Sequence, residues 1–484
     1  MAEMFIAGEF TGSERQRTTV TSPAAGEPVD TVPEATVADV DAAVEAAGGG
    51  FDAWRNTRAS RRGELLHRGA RRVLAHREEL ARLLTAEHGK TLREAGLEIH
   101  RFVTTLEHYA GLARELRGSH VPGLDHNTYG LIVRRPLGVV AAIVAWNFPT
   151  LLLANKVAPA IVAGNTVVAK PAPTTPLTTL RIAELLHEGG VPAGVLNVVC
   201  GGAEVGEALV RHPAVRKVAF TGTTATGERV AAAAAAGAKR VALELSGSDP
   251  FIVCEDADLD AAASAASVGR FFNAGQSCLA VKRVYCAEEA LDTFLQRLLD
   301  RVRKLTVGPP TMGGTVLGPL HTEALRDRLE RQLADGLESG GELLVGGERP
   351  QHAELAGGWY FDATVVSRPA HDSRLATEEV LGPVLPVWAV ASLDEAMARA
   401  NASPFGLGSS IWTRDLDAAT YAAGRLEAGY TWINCPPRLY EQLPFGGIGA
   451  SGFGKEHGHE ALDQYTDSKS VVVRHRPPRA APAS

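Results

Sequence analysis

The sequence predicts an α/β fold in which parallel strands alternate with helices. Two observations carry this prediction. Short runs rich in β-branched residues, the pattern of strands buried on both faces, are separated by segments with the apolar spacing of helices. The alternation restarts after Pro250, which indicates a second α/β unit beginning near residue 246. A chain of 484 residues has room for roughly two to four domains.

The predicted elements follow each other along the chain. Two amphipathic segments, residues 39–54 and 61–90, predict helices near the start. Strands are predicted from the runs GVVAAIVAW, NTVVAK, VLNVVC, KVAFTG and PFIVC, and the helices between them from TTLRIAELLHEGG, AEVGEALVRH and TGERVAAAAAAGAK. In the second unit, ALDTFLQRLLDRVRKL and LDEAMARANAS predict further helices.

Composition and charge narrow the classes of function. The net charge of −7 gives no reason to expect a nucleic-acid or anionic-membrane partner. The N-terminus lacks the features of a signal peptide. The long apolar stretch from Pro136 to Lys170 is interrupted by Pro149, Asn155 and Pro159, so we interpret it as strand, turn, buried helix and strand rather than a membrane span.

The cysteines predict neither a disulfide framework nor a zinc site. No Cys-x-x-Cys pair occurs, and the number is odd, with the residues scattered at Cys200, Cys254, Cys278, Cys286 and Cys435. A reducing, cytoplasmic location fits this usage. No metal site is predicted elsewhere either, because DADLD fits a helix N-cap better than a calcium loop and HGHE has no second ligand cluster.

Three short stretches contain residues suited to catalysis, although each has an ordinary alternative. Cys278 in NAGQSC could be a nucleophile or a small core residue. Glu244 in LELSG lies between two leucines, where burial would raise its pKa and suit a general base, but it could also be a paired glutamate at a strand end. Asn147 in AWNFP could donate to a developing oxyanion or simply form a turn. In KVAFTGTTATG, a strand runs through small residues into a helix, which is a possible but weak phosphate site.

The order of the motifs decides more than any one of them. AWNFP, GNTVVAKPAPTTP, FTGTTATG, LELSGSDP, NAGQSC, EEVLGP and LPFGGIGASGFGKEHG occur in this sequence along the chain. In this respect the chain resembles the aldehyde dehydrogenase superfamily over nearly its whole length. The resemblance implies a Rossmann-like NAD(P)-binding domain (residues 1–117 and 137–245), a catalytic α/β domain (246–450), and a small β oligomerisation element (118–136 and 451–475), followed by a flexible tail (476–484).

The same resemblance implies the catalytic roles. Cys278 would attack the aldehyde carbon, with the oxyanion held by the Asn147 amide and the Cys278 N–H. Glu244 would then activate the water that hydrolyses the thioester. Lys156 would tune Glu244 or a proton relay, or form a simple buried ion pair. A non-acylating enzyme is expected, because CoA-acylating relatives typically lack the glutamate. A non-catalytic protein with the same fold is the other alternative.

The resemblance also implies residues for the cofactor, NAD or NADP. Lys170 would reach the adenine ribose, Glu379 the nicotinamide ribose, and the remaining positions would line the site: Trp146, Gly222, Thr223, Gly227, Leu245 and Leu381. Three departures from the family pattern are Pro173 in place of an acid that binds the ribose, Ser246 in place of a glycine, and Leu381 in place of a phenylalanine. Pro173 predicts that NADP is accepted beside NAD, with Thr174 and Thr175 as hydroxyl donors.

The substrate tunnel is predicted to be mostly apolar. The resemblance places Phe148, Leu152, Asn155, Ser277, Leu279 and Phe445 along it, with Arg438 in the loop at its mouth. Arg438 could anchor a substrate carboxylate or pair with Glu441. We favour an uncharged aromatic or aliphatic aldehyde over a semialdehyde of the succinic type, because an unpaired carboxylate is costly in such a tunnel. The open-edged strands near residues 129–138 and 468–475 predict a homodimer or homotetramer.

Overall fold

The structure, a computed structural model, describes residues 1–476. Within these residues the first sheet has eight strands. Its five middle strands are parallel, and the strands at both edges are antiparallel to them. In spatial order the strands are β2 (Glu9–Thr11), β1 (Met4–Ile6), β9 (Leu196–Val198), β8 (Thr166–Lys170), β7 (Val139–Ile143), β10 (Val215–Thr221), β11 (Arg240–Glu244) and β21 (Gly452–Phe453).

Helices cover this sheet, and every residue of β7 and β8 is buried. Burial on both faces explains why these strands lack alternating polar residues. The helices that start at Val37 and Leu92 begin with a capping box, in which a threonine and the acid three residues later exchange hydrogen bonds. The helices are α1 (Val37–Asn56), α2 (Ala59–Ala75), α3 (Arg77–His88), α4 (Leu92–Gly111), α5 (Pro149–Ala163), α6 (Leu177–Glu188), α7 (Ala203–Arg211) and α8 (Thr224–Ala235), with a 3₁₀ turn at Leu112–Arg114.

A second sheet, built from residues 249–433, has seven strands that are parallel except at one edge. Its order is β14 (Glu342–Val345), β15 (Thr364–Ser367), β16 (Val384–Val390), β13 (Val281–Ala287), β12 (Asp249–Val253), β18 (Gly408–Trp412) and β19 (Tyr430–Ile433). Its helices are α9 (Leu259–Phe271), α10 (Glu288–Val302), α11 (Glu323–Glu338), α12 (Arg374–Thr377), α13 (Leu393–Asn401) and α14 (Leu416–Ala423), with 3₁₀ turns at Phe272–Gly275 and Ala353–Leu355.

The two sheets confirm the predicted α/β class. Strand, helix and strand occupy the stretch from Pro136 to Lys170, as the sequence predicts. None of the helices between residues 1 and 476 combines the length and the apolar composition that crossing a membrane requires. The change of sheet falls between Glu244 and Asp249, and we propose it as the boundary between the cofactor and catalytic domains.

A smaller sheet of residues 119–136 and 466–474 projects with two unpaired edges. Its order is β22 (Thr466–Arg474), β6 (Thr128–Pro136) and β5 (Ser119–Asp125), and β22 pairs with β6 along nine residues. The short helix α15 (Gly458–Asp463) precedes it. The remaining strands form two small ribbons, β3 (Arg17–Thr21) with β4 (Pro28–Pro33) and β17 (Phe405–Gly406) with β20 (Ile448–Gly449).

One segment lies apart from the predicted oligomerisation element. Strand β21 falls inside residues 451–475, yet it pairs with β11 at the edge of the first sheet. Sequence could not reveal this pairing, because the two strands are about 200 residues apart and each is too short to show a period. The predicted tail, residues 476–484, lies outside the described residues except for its first member.

The smaller sheet leads to a prediction about assembly. Every residue of β5 is exposed, and Val133 and Val472 on the other two strands are 41% and 66% exposed. Open edges with apolar side chains favour pairing with another chain. We expect light scattering at micromolar concentration to give the mass of two or four chains. Val472→Asp should lower that mass, and a monomer in the unsubstituted protein would contradict the prediction.

Candidate active site

A cavity of about 680 Å³ opens where the parallel strands of the first sheet end. Ligands of open α/β sheets bind at this edge, because strand ends and helix N-termini converge there. The second sheet contributes part of the wall through its loops. The predicted site residues that line the cavity are Trp146, Asn147, Lys170, Gly222, Thr223, Glu244, Leu245, Cys278, Glu379 and Leu381.

The turn before Cys278 has a strained backbone. Asn273, Ala274 and Gly275 have φ angles of 55°, 52° and 75°, in the left-handed region that non-glycine residues avoid. A Cβ on Gly275 would lie 2.2 Å from a backbone oxygen of the loop after Glu379, so only glycine fits there. The Asn273 N–H donates to Glu94 Oε1 at 2.6 Å and holds the turn in place. Two consecutive strained residues thus lie in the segment that presents the thiol.

Asn147 is fixed through its backbone. Its carbonyl oxygen accepts hydrogen bonds from Lys90 Nζ at 2.8 Å and from Asn273 Nδ2 at 3.1 Å. Lys90 is itself paired with the buried Glu98 at 2.5 Å. Asn147 Oδ1 has no partner within residues 1–476, and the side chain lines the cavity. The arrangement leaves the amide group available to a ligand. Sequence reasoning missed Lys90 and Glu98, which lie in no recognisable motif.

Glu244 and Cys278 influence each other's ionisation. Burial, and after it the charge of Glu456, raise the pKa of Glu244 to about 7, against the opposing effects of Cys278 and Lys156. Burial and the neighbouring Glu244 raise the pKa of the Cys278 thiol well above its ordinary value. Neither carboxylate oxygen of Glu244 has a hydrogen-bond partner in the described part of the chain. At neutral pH this carboxyl can therefore accept or release a proton.

Lys156 forms a buried ion pair with a residue that sequence reasoning missed. Its ammonium lies 2.5 Å from Glu456 Oε1 and 2.6 Å from Thr221 Oγ1. The Asn155 amide donates to the other oxygen of Glu456 at 2.9 Å. Despite its burial, Glu456 has a lowered pKa, because Lys156 and Asn155 stabilise its charged form. Asn155 therefore serves Glu456 with its amide nitrogen instead of presenting it to the predicted tunnel.

The cofactor-side residues divide into those that line the cavity and one that does not. Burial lowers the pKa of Lys170 to about 8, and its side chain lies along Gly206 at the far end of the cavity. Gly227 faces away from the lining, and a Cβ there would meet Leu245 at 2.4 Å. Close packing of α8 against Leu245 therefore explains the glycine at this position, whereas the sequence predicted a place beside a pyrophosphate.

Trp146 belongs to a stack of three aromatic rings. Its ring lies 4.6 Å from that of His321, and His321 lies 5.1 Å from His88. Burial lowers the pKa of His321 to about 4, so the imidazole is neutral at physiological pH. His321 Nε2 is 2.7 Å from Thr174 Oγ1. The stack fixes Trp146 and also engages the Thr174 hydroxyl.

Two predicted hydroxyl donors for NADP are misplaced. Thr174 is already bonded to His321, and Thr175 is fully buried. Neither lines the cavity, whereas Pro173 does. Helix α7 contributes two further charged residues to the lining, Glu207 and Arg211, which are paired at 2.8 Å. Sequence reasoning missed Glu207, because only the folded position of α7 brings this residue into the cavity lining.

The predicted tunnel residues lie outside the cavity lining. Leu152 and Phe445 are buried, Phe148, Ser277 and Leu279 are half-buried, and the Phe148 ring stacks on Phe272 at 6.2 Å. The predicted alternative pairing of Arg438 with Glu441 is wrong. Glu441 pairs with Arg101 at 3.1 Å, and Arg438 is exposed above the Tyr440 ring.

No group of three or more His, Cys, Asp or Glu side chains within residues 1–476 is arranged to hold a metal ion.

Comparison with known proteins identifies the family. The family model described as "Aldehyde dehydrogenase family" matches residues 10–471.

The chain belongs to the aldehyde dehydrogenase family.

Relatives cover nearly the whole chain. Phenylacetaldehyde dehydrogenase of Pseudomonas fluorescens is 41% identical over an alignment of 482 residues that covers 97% of this chain and 95% of the relative. The crystal structure of PnpE from Pseudomonas sp. WBC-3 is 40% identical, covers 100% of this chain and 99% of its own, and has a TM-score of 0.96. PnpE has also been solved with nicotinamide adenine dinucleotide.

A third relative was solved with the other cofactor. The structure of 3,6-anhydro-L-galactose dehydrogenase in complex with NADP is 34% identical, covers 98% of this chain and 99% of its own, and has a TM-score of 0.95. This aldehyde dehydrogenase is therefore an NAD(P)-dependent oxidoreductase that acts on aldehydes.

Proposed function

We propose that this aldehyde dehydrogenase oxidises an uncharged aldehyde to its carboxylic acid through a thioester on Cys278. The observation that carries the proposal is the meeting of Cys278, Glu244 and Asn147 in one cavity, where Glu244 has a pKa of about 7. A nucleophile, a base near neutrality and an amide donor are the groups that acyl chemistry needs.

The cavity fits a dinucleotide along its length. Its volume lies within the range of cofactor sites, and the N-terminus of α8 opens onto it beside Gly222 and Thr223. Lys170 would hold the adenine ribose, and Glu379 the nicotinamide ribose. NAD(P)⁺ held there would supply the acceptor for the hydride that the substrate carbon loses as the thiohemiacetal on Cys278 becomes a thioester.

The chain's own groups account for the other steps. The Cys278 thiol releases its proton to solvent, and the thiolate adds to the aldehyde carbon. The Asn147 amide and the Cys278 N–H stabilise the oxyanion. Glu244 takes a proton from the water that attacks the thioester; the C–S bond then breaks, Cys278 leaves as the thiolate, and the carboxylic acid is released. Lys156 moderates this base, because its charge lowers the pKa of Glu244 and its partner Glu456 raises it.

The apolar side chains that the resemblance places along the substrate tunnel favour an uncharged substrate. Phe148, Leu152 and Phe445 carry no charge, and Asn155 is committed to Glu456. The relative named for phenylacetaldehyde, an uncharged aromatic aldehyde, supports the same class. Arg438 is the cation in the nearby loop that would favour a substrate carboxylate.

We expect kcat/KM for benzaldehyde, phenylacetaldehyde or hexanal to exceed that for succinic semialdehyde. A carboxylate without a partner loses several kcal/mol on leaving water. An aldehyde panel followed by the absorbance of reduced cofactor measures this directly. If succinic semialdehyde is preferred by more than about tenfold and Arg438→Ala removes the preference, Arg438 is a carboxylate anchor and the substrate class is wrong. Arg414→Ala, on another exposed loop, is the control.

NADP is expected to be accepted beside NAD, because Pro173 carries no charge and Glu207 is paired with Arg211. Pro173→Glu should lower kcat/KM for NADP about tenfold relative to NAD, since the new carboxylate repels the 2′-phosphate. Pro173→Gln provides the uncharged control of similar size. A preference for NAD above about a thousandfold in the unsubstituted enzyme would contradict this expectation.

The location and the assembly are proposed on separate grounds. All five cysteines are free. Free thiols fit a reducing compartment, and we infer that the enzyme is cytoplasmic. The exposed three-stranded sheet supports a homodimer or homotetramer, as described above.

A further inference from the structure

Lys282 is a buried lysine that the mechanism has not used. It lies on β13, four residues after Cys278, and its side chain is 1% exposed. Burying an ammonium group is costly unless every hydrogen finds an acceptor. The structure supplies three acceptors, the same number as the donors of an ammonium group.

The three acceptors come from three different loops. Lys282 Nζ lies 2.8 Å from the carbonyl oxygen of Gly247, 3.0 Å from Glu379 Oε1 and 3.3 Å from the carbonyl oxygen of Cys278. The first loop follows Glu244, the second precedes β16, and the third carries the nucleophile. One cation therefore joins the base loop, the nucleophile loop and the carboxylate proposed to hold the nicotinamide ribose.

Two donors share one carboxylate oxygen of Glu379. Oε1 accepts from Lys282 and from the Gly247 N–H, both at 3.0 Å. Glu379 also lines the cavity, where the Ser246 hydroxyl is a further hydrogen-bond donor to its carboxylate. Burial opposes ionisation, yet the charge of Lys282, the Ser246 hydroxyl and the Gly247 N–H lower the pKa of Glu379. An ionised acceptor thus faces the cavity.

We propose that Lys282 is a positioning residue that keeps Glu379 charged and aimed at the cofactor while it fixes the backbone of Cys278. The inference rests on the proposed role of Glu379 at the nicotinamide ribose. Without the ammonium, this deeply buried carboxylate loses its ion-pair partner among residues 1–476. It then takes up a proton or turns away, and the ribose loses an ionic acceptor.

The next residue on the same strand offers a matched control. Arg283 is also buried, and it donates to Ser248 O in the loop that Lys282 contacts at Gly247. Its other partners, Arg399 O and Ala400 O, lie on the far side of the sheet. Arg283→Met therefore removes a buried cation that anchors the same loop without touching Glu379 or Cys278.

Binding of NADH to the enzyme without aldehyde, followed by protein fluorescence, tests the proposal independently of turnover. Lys282→Met should raise the dissociation constant about tenfold, the size of one lost charge-assisted hydrogen bond. Arg283→Met should lower the melting temperature about as much as Lys282→Met does, but it should leave the dissociation constant for NADH within about twofold of the unsubstituted value. Equal weakening by both variants would mean general anchoring of the loop and would overturn the proposal.

A double-mutant cycle separates failure of this inference from failure of the role of Glu379. If Glu379→Gln leaves NADH binding unchanged, the proposed role of Glu379 fails and the inference falls with it. If Glu379→Gln weakens binding, Lys282→Met should add less than about twofold in that background, because the two residues act as a unit. A full additional tenfold loss would show that Lys282 acts elsewhere, and no loss from Lys282→Met alone would overturn its role directly.

The same variants can be checked at the nucleophile. Lys282 contacts the Cys278 carbonyl, so its loss should also change the rate at which iodoacetamide alkylates Cys278 in the enzyme without cofactor. Arg283→Met should leave that rate within about twofold. An unchanged alkylation rate in Lys282→Met would show that Lys282 does not fix the backbone of Cys278.

Discussion

Replacing Cys278 by alanine is expected to abolish aldehyde oxidation, with kcat/KM falling by at least about ten-thousandfold. The thiol is the only nucleophile proposed to form the covalent intermediate, and no other cysteine lines the cavity described within residues 1–476. Without the thiol, the hydride would have to leave from the hydrate of the aldehyde, which is not bound covalently to the enzyme. Absorbance of reduced cofactor with saturating aldehyde measures the loss.

The control for Cys278→Ala must show that the cavity persists. Cys435→Ala removes another half-buried free thiol, from the loop after β19, and should retain activity. Cys278→Ala itself should still bind NADH, because none of the groups proposed to hold the cofactor is altered. Residual oxidation above about one per cent of the unsubstituted rate would show that Cys278 is not the nucleophile.

Glu244→Gln is expected to give a burst of reduced cofactor, about one equivalent per active site, followed by a steady state at least about a hundredfold slower. The burst survives because the charge of Glu244 raises the pKa of Cys278, and its removal makes the thiolate easier to form. Hydrolysis stalls because glutamine cannot take a proton from the attacking water. Rapid mixing should resolve the two phases.

The stalled species identifies the step that fails. Intact-protein mass spectrometry of Glu244→Gln after one turnover should show one acyl group, and hydroxylamine should remove it. Asp249→Asn is the matched control, because burial raises the pKa of this carboxyl also to about 7 and it lies outside the cavity lining. Steady-state turnover by Glu244→Gln at the unsubstituted rate would refute the general-base assignment.

Much of the fold could be predicted from the sequence, because its signals are local. Buried parallel strands read as β-branched runs, and the helices between them read as apolar residues at helical spacing, so the stretch from Pro136 to Lys170 has the predicted order of strand, helix and strand. The family could also be recognised from the sequence, because seven short motifs in one order survive as linear text. Cys278, Glu244 and Asn147 were accessible for the same reason.

Tertiary structure alone decided which distant groups share a contact. Glu456 lies 300 residues from Lys156, and nothing in its neighbourhood of glycines marks it as the partner of that ammonium. The commitment of Asn155 to Glu456 and of Glu441 to Arg101 likewise depended on how strands and loops pack. Periodicity and motifs specify segments, whereas hydrogen bonds and ion pairs need atoms within about 3 Å. That proximity exists only once the sheets are assembled, so the sequence determined the fold and the reacting groups, and the packing determined what orients and charges them.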